Sequence, residues 1–463
     1  MTTVPRETII GQPIDRVDGP LKVTGAAPYP SDFTFPDLTH AVLVPSTIAA
    51  GTIRGIDTAK AEAMPGVLAV ITHENAPALV EASMTPLGPP PPFPFRDNRI
   101  VHYGQHVAVV VARTREDAAA AARLVEIDYE QAAPLLRIDD PRAPELVDHW
   151  GQDVERGDVT AALAAAEVVY DETFTTAAVT PNPMGLFATV ARWDGNRLTV
   201  HDASQDPMRV RTTLATIFDL PETDVRVLVP YLGGGFGSGL RTWPHVILTA
   251  LAARVVARPV KLVLTRPQMF TSVGHRPQTR QRVQLGATRD GRLVALDHEG
   301  TSTLGALDEG GVEPVTQVTG NAYSCPNVAT HDRRVRLHIP SPHWMRAPGT
   351  TQGNFAVESA LDELSYTVGI DPIELRLRNH TEVHPGTGRP WSSKALRECY
   401  RVGAERFGWA RRTAEVGSMR EGNWLIGYGM AGVTFTSGQA PCQATVSIRR
   451  DGSAHVRSAA TDL

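Results

Sequence analysis

The sequence predicts an α+β fold in two main units, a smaller one at the N-terminus and a larger one after it. Three observations carry this. The chain has 463 residues, enough for two large domains or three of ordinary size. Between about residues 15 and 129, short apolar β-branched runs alternate with short helical stretches. Periodicity then lapses over residues 138–156, and a longer series of strands and helices follows. The stretch at 138–156 therefore reads as a linker, and residues 15–130 as a compact unit of their own. The corresponding boundaries are an arm at 1–14, a first domain at 15–135, a second at 136–400 and the start of a third at 401–463.

Element by element, residues 41–44, 67–72 and 107–112 are apolar runs rich in Val and Ile, the signature of buried strands. Residues 57–64 begin with a candidate N-cap and stop before Pro65 and Gly66, so they form a short helix. Residues 114–125 form a second helix, with Thr114 as N-cap and Asp117 at its third position. Pro86–Phe95 holds too many prolines for a helix or an inner strand and reads as a stiff polyproline loop. In the larger unit, strands are expected at 168–175, 189–193, 197–201, 225–230 and 260–265, and helices at 208–218 and 245–257. Asp194–Gly195–Asn196 marks a hairpin between two of these strands. Residues 353–369 give the clearest helix, because Ala356, Val357, Ala360, Leu361, Leu364 and Val368 share one face at 3.6-residue spacing. A helix at 394–407 and a hairpin at 444–449 and 453–459, turning at Asp451–Gly452, complete the series.

Composition excludes several function classes. The chain is 42% hydrophobic and 21% charged, and 45 Lys and Arg against 50 Asp and Glu leave a formal charge of −5. There is no basic field for coating nucleic acid. No apolar run reaches the ~18 residues of a membrane span. The first residues carry no apolar signal segment, so a cytoplasmic protein is expected, with export as the passenger of a partner left open. Only Cys325, Cys399 and Cys442 occur, and no two form a CxxC pair, which argues against iron–sulfur clusters, zinc ribbons and a disulfide scaffold in this chain. The 15 histidines are scattered, and neither HExxH nor other paired-ligand spacing appears, so no side-chain metal site is expected.

Three features could carry chemistry. Gly233–Gly234–Gly235–Phe236–Gly237–Ser238–Gly239 follows an expected strand and precedes a helix. So many glycines let backbone N–H groups approach an anionic ligand, or they simply make a turn. The segment is no Walker loop, since no Lys–Ser/Thr follows, and no dinucleotide fingerprint, since the acidic partner is absent. Arg346 in Met345–Arg346–Ala347–Pro348–Gly349 suits a bidentate contact to phosphate or carboxylate, or pairs with a local acid such as Asp362. Gln205, at the end of a strand, points its amide into a pocket or into solvent.

In order, these pieces resemble the large molybdenum-cofactor subunit of the xanthine dehydrogenase/aldehyde oxidoreductase family. Arg16–Val17–Asp18–Gly19 and Lys22–Val23–Thr24–Gly25 are similar to its opening motif. Pro65–Gly66–Val67 and Gly104–Gln105–His106–Val107–Ala108 are similar to its small α/β hammerhead domain. Gln205, the Gly233–Gly237 run, Arg346–Ala347–Pro348–Gly349, the stretch from Glu358 to Leu364 and the stretch from Asp371 to Asn379 follow in the family's order. The resemblance implies a hammerhead domain, a larger molybdopterin-binding α+β domain and the start of a second one. It implies molybdenum held by the dithiolene of a molybdopterin, with or without an attached nucleotide, rather than by side chains. Gln205, Gly234, Gly235, Phe236, Gly237 and Arg346 would then face that cofactor. The family's reaction is hydroxylation of an aldehyde or N-heterocycle with water as the oxygen source. Its electrons leave through iron–sulfur clusters and FAD, expected here on separate partner subunits.

Three departures qualify the activity. Family members continue beyond a segment like residues 444–463 into a further cofactor domain that carries the general base. No catalytic base is therefore named, and a second chain supplying that part is a possible partner. Bacterial relatives read His-Asn-Pro-Met-Glu-Pro-His where this chain has Pro181–Asn182–Pro183–Met184–Gly185–Leu186–Phe187. Purine-oxidising relatives place a Glu where this chain has Leu240, and a second Arg near Pro314, so an aldehyde or another apolar-ringed substrate is expected rather than a purine. Two readings stand: a molybdopterin-binding enzyme subunit, and a truncated, catalytically inactive remnant or assembly partner of one.

Overall fold

The structure, a computed structural model, describes residues 11–81, 92–147, 153–308, 313–435 and 441–458. Most of the expected arm, the central prolines of the 86–95 loop and the last residues of the chain lie outside these.

A seven-stranded mixed sheet forms the centre. Its order is Val225–Leu228, Arg197–Asp202, Ala188–Asp194, Val260–Val263, Thr39–Pro45, His106–Ala112 and Val67–Thr72. The strand His106–Ala112 is buried along its whole length, as an inner strand covered on both faces must be. Its side chains alternate between two cores. Val109 and Val111 face a large cluster with Val246, Ile247 and Leu251 of the helix Pro244–Val256, whereas Ala108 and Val110 face Ile53, Ala61 and Ala121.

The sheet draws strands from both sides of the 135/136 boundary. Thr39, His40 and Ala41 pair in parallel with Val260, Lys261 and Leu262. The reason lies in the strands themselves: apolar on both faces, they need a layer on each side, and the N-terminal unit supplies only one. The aperiodic stretch at 138–156, expected as a linker, carries two short strands. Glu145–Val147 and Glu155–Arg156 pair with the edge of a second sheet, at Arg333–Val335 and Val328–Ala329.

That second sheet has Thr279–Ala287 and Leu293–Gly305 as antiparallel neighbours, with Asn327–Leu337 parallel to the latter and Val168–Thr176 on the other edge. Its central strands escaped the sequence pattern because polar residues, among them Gln281, His298, Asp332 and Arg334, take buried positions where apolar ones would mark a strand. The helix Thr350–Val368 packs on it through Ala356, Val357, Ala360, Leu361 and Leu364, all buried, and ends in the left-handed Gly369. Elsewhere the expected elements are present with their ends shifted by up to three residues. The first short helix covers only Ala59–Glu62, because Asp57 closes a strand, Gly51–Asp57. The second covers Arg115–Ala122, and the Thr114 hydroxyl accepts the Asp117 N–H at 3.1 Å. Ala444–Ile448 and Ala454–Ser458 form the terminal hairpin, exposed on both faces.

Candidate functional site

A cleft of about 960 Å³ opens at the C-terminal end of the strands Arg197–Asp202 and Val225–Leu228. Gln205, Gly234, Gly235, Phe236, Gly237 and Arg346 all line it, brought together from three distant stretches of chain.

Each wall is fastened to the next. Gln205 follows the first of these strands and precedes the helix Pro207–Ile217, whose N-cap is Asp206. Its backbone N–H donates to the Gly239 carbonyl at 2.8 Å. Its side-chain oxygen accepts the N–H of Gly237 at 2.8 Å and of Gly239 at 3.2 Å. With the oxygen so engaged, the Gln205 amide NH₂ is the end left for the cleft. Gly235 is required here, because a Cβ on it would stand 2.3 Å from the Gln205 side-chain oxygen. Gly237 is required twice over: its φ is +106°, and a Cβ would stand 2.3 Å from the Trp344 carbonyl oxygen. The glycines thus serve the turn and leave donors over: the N–H groups of Gly234, Gly235 and Phe236 bond to no described residue.

Phe236 is held at φ +53°, a strained value for an aromatic residue, and its ring is about half exposed in the cleft. Its carbonyl accepts the Arg346 N–H at 2.9 Å, which joins the glycine loop to the arginine turn. The Arg346 guanidinium is exposed in the cleft. The alternative partner, Asp362, is excluded, since it pairs with Arg376 at 3.3 Å.

Two features had no reading as site residues in the sequence. Arg16, Asp18 and Lys22 form one wall, with Asp18 held between Arg16 (3.0 Å) and Lys22 (2.8 Å). These two cations hold its carboxyl well below the usual carboxylate range. The motif around them was legible, but nothing in the sequence placed it beside Tyr231 and the glycine loop. Behind the arginine turn lies a buried pair, Glu313 and Arg276, at 3.1 Å. Burial pushes the Glu313 carboxyl up to about 7, partly opposed by Arg276. Burial likewise raises Asp202, beneath the Gln205 loop, to about 6.

Pro181–Phe187 stands behind the glycine loop rather than in the cleft lining. Gly185 donates its N–H to the Gly233 carbonyl at 3.0 Å, and Arg266 binds Asn182, Pro183 and Met184 at 2.8–2.9 Å. Leu240 faces the cleft and makes that wall apolar. A smaller cavity of about 100 Å³ lies across the chain at Arg241–Trp243, where His106, Arg241 and Asp308 are buried. Among the described residues, no group of three or more His, Cys, Asp or Glu is placed to hold a metal ion. The donors lining the cleft suit instead a large polar cofactor bearing oxo and anionic groups: the Gln205 amide, three backbone N–H groups, the guanidinium groups of Arg16 and Arg346 and the Lys22 ammonium.

Comparisons with known proteins place the chain by its domains. Residues 140–380, just over half of the chain, match the family described as the molybdopterin cofactor-binding domain. Residues 24–133 match the aldehyde oxidase and xanthine dehydrogenase a/b hammerhead domain. The chain is 38% identical over 462 residues to the aldehyde oxidoreductase molybdenum-binding subunit PaoC of Escherichia coli K12, covering 98% of this chain and 62% of the relative. It is 30% identical over 483 residues to the xanthine dehydrogenase molybdenum-binding subunit of Escherichia coli O157:H7, covering 97% and 63%. The chain thus spans less than two thirds of the length of these relatives. Among solved structures, CO dehydrogenase from Oligotropha carboxidovorans superposes with a TM-score of 0.75 at 25% identity, over 87% of this chain and 54% of that one. By its matched domains and the order of its motifs, this chain belongs to the molybdopterin-binding family of aldehyde oxidases and xanthine dehydrogenases.

Proposed function

We propose that the chain is the molybdopterin-binding part of a molybdenum hydroxylase that oxidises an aldehyde or an N-heterocycle with water as the oxygen source. The observation that carries this reading is the convergence of Gln205, Phe236 and Arg346 on one cleft from positions up to 141 residues apart. When bound, the molybdenum–molybdopterin supplies the two-electron oxidation and the transfer of an oxygen derived from water. Gln205 would hold an oxo group with its amide N–H. The N–H groups of Gly234, Gly235 and Phe236 would meet the cofactor's polar edge, and Phe236 would shield its face from water. Arg346 supplies a fixed positive charge on the same side. Leu240 makes the adjoining wall a poor host for a purine's polar edge and a good one for an apolar ring or chain.

No residue of the described cleft is assigned as general base. Asp18, its one carboxylate, is locked between two cations and stays ionised and engaged at neutral pH. This favours the second reading as well, a cofactor-binding or assembly subunit without turnover of its own. Iron–sulfur and FAD subunits are the partners expected of an enzyme of this kind. Among the described residues no helix is long and apolar enough to cross a membrane. The test is to purify residues 1–463 from a host that makes molybdenum cofactor, then measure molybdenum per chain and aldehyde oxidation with a dye acceptor. Bound molybdenum that Arg346→Gln and Phe236→Ala reduce supports the reading. Turnover by the chain alone refutes the assignment of no base here. Failure of the chain, with and without candidate partner subunits, to retain molybdenum refutes cofactor binding.

A further inference from the structure

We propose that Glu313 and Arg276, neither of which reaches the cleft, are positioning residues that set the Arg346 turn and so decide whether the cleft binds an anion. The inference rests on the cofactor-facing role of Arg346 proposed above. Its geometry is independent of that role.

The turn is awkward to hold. Ala347 sits at φ +58°, a left-handed conformation that costs a non-glycine residue energy, and Gly349 follows at +66°. A Cβ on Gly349 would stand 2.2 Å from the Pro314 carbonyl oxygen, so the turn presses against the backbone beside Glu313. Hydrogen bonds over-determine it. One Glu313 oxygen accepts the Met345 N–H at 2.8 Å. The Gly349 N–H also favours the charged form of this carboxylate. The other oxygen accepts the Arg276 Nε–H at 3.1 Å. Arg276 in turn donates through Nη2 to the carbonyl of Met345, at 2.8 Å, and to that of Arg346. Its backbone is bridged to Val179, ahead of the Pro181–Phe187 segment. Both side chains are buried, Glu313 completely and Arg276 to 8% exposure.

The pair therefore does more than neutralise itself. A carboxylate takes the Met345 N–H of the turn, and a guanidinium gathers two of its carbonyls. With the backbone gripped on both polarities, the Arg346 side chain leaves toward the cleft from a fixed origin. A buried hydrophobic pair of equal volume would fill the space and grip nothing, which is a reason for charge at this depth.

The experiment uses the full chain at pH 8, where the Glu313 carboxyl is ionised. The probe is inorganic pyrophosphate. Its binding is read as protection of Arg346 from phenylglyoxal, resolved to the residue by peptide mass spectrometry. Hydrogen exchange of the peptide 344–351 is followed in parallel. In the unaltered chain, pyrophosphate protects Arg346 and the Met345 amide exchanges slowly. Glu313→Gln keeps the shape but turns an NH₂ toward Arg276, so pyrophosphate binding weakens at least tenfold and the Met345 amide exchanges at least tenfold faster. Arg276→Lys, which cannot span two carbonyls, does the same and carries the test if Glu313→Gln does not fold. Glu358→Gln breaks another buried pair away from the cleft, with Arg376 at 2.7 Å, and leaves both readouts unchanged.

Binding within twofold of the unaltered chain in both Glu313→Gln and Arg276→Lys, with unchanged exchange, overturns the proposal. If Glu358→Gln changes both readouts equally, the pair is merely structural and the proposal also falls. If the unaltered chain gives pyrophosphate no protection, the anion-binding role of Arg346 fails, while the exchange measurement still decides the grip on the turn.

Discussion

Replacing Gly235 by alanine tests the joint between Gln205 and the glycine loop. The φ of Gly235 is not in the left-handed region, so alanine brings no backbone strain. What it brings is a methyl group 2.3 Å from the Gln205 side-chain oxygen and 2.8 Å from its Cδ. The Gln205 side chain must swing away, and the N–H groups of Gly237 and Gly239 then lose their acceptor. Gly239 is buried, so its N–H gains no ready solvent contact. Two lost hydrogen bonds, one of them leaving a buried donor unpaired, cost roughly 2–4 kcal/mol together. Urea unfolding at constant m-value measures that loss. The decisive comparison is a double-mutant cycle. In a Gln205→Ala background the offending oxygen is gone, so Gly235→Ala costs under ~1 kcal/mol, and the coupling is about 2 kcal/mol. Costs that simply add would show that the methyl clashes with something other than Gln205, and the mutual positioning of these two residues would be refuted. A Gly235→Ala cost under ~0.5 kcal/mol alone would refute the close approach itself.

Other expectations follow from the same contacts. Glu313 and Asp202 have carboxyls raised by burial to about 7 and about 6, so the folded chain holds these protons more tightly than the unfolded one. Their contribution to stability is fully present below the ordinary carboxyl values and is lost as pH rises through about 6 to 7. Thermal midpoints between pH 4.5 and 8 should show a falling component that Glu313→Gln and Asp202→Asn each reduce; an unchanged slope in both variants counts against the raised values. Glu358→Ala leaves Arg376, fully buried, without its main partner and frees Tyr323 and the Gly432 N–H; a loss of about 3–5 kcal/mol in urea unfolding is expected, and one below ~1 kcal/mol would contradict a buried ion pair. Asp371 caps the helix Pro372–Arg378 through the N–H groups of Ile373 and Glu374 and also accepts from the Trp409 indole. Asp371→Ala should cost about 1–2 kcal/mol and raise protease sensitivity near residue 409, which a matched digestion would detect.

The sequence by itself determined the class of fold, most helices, the apolar inner strands and the identity of the family. Those depend on local periodicity, caps and the order of short motifs, all written along one line of chain. Thr114 and the apolar face of Thr350–Val368 are examples: each acts within a few residues of itself. It also singled out Phe236 and Arg346, through glycine and Pro–Gly contexts that have few structural uses, and Gln205, by its place at a strand end and the family's motif order. Tertiary structure alone decided the rest. The long strands Thr279–Ala287, Leu293–Gly305 and Asn327–Leu337 carry Arg, Gln and His that only burial in a second sheet explains. The parallel pairing of Thr39–Ala41 with Val260–Leu262 joins residues more than 200 apart, and a strand's own residues do not encode which edge it will meet. Glu313 and Arg276 stood among ordinary charged residues until the fold buried them face to face. A charge on a chain is a solvated group until packing removes the water, and only then does its partner become obligatory.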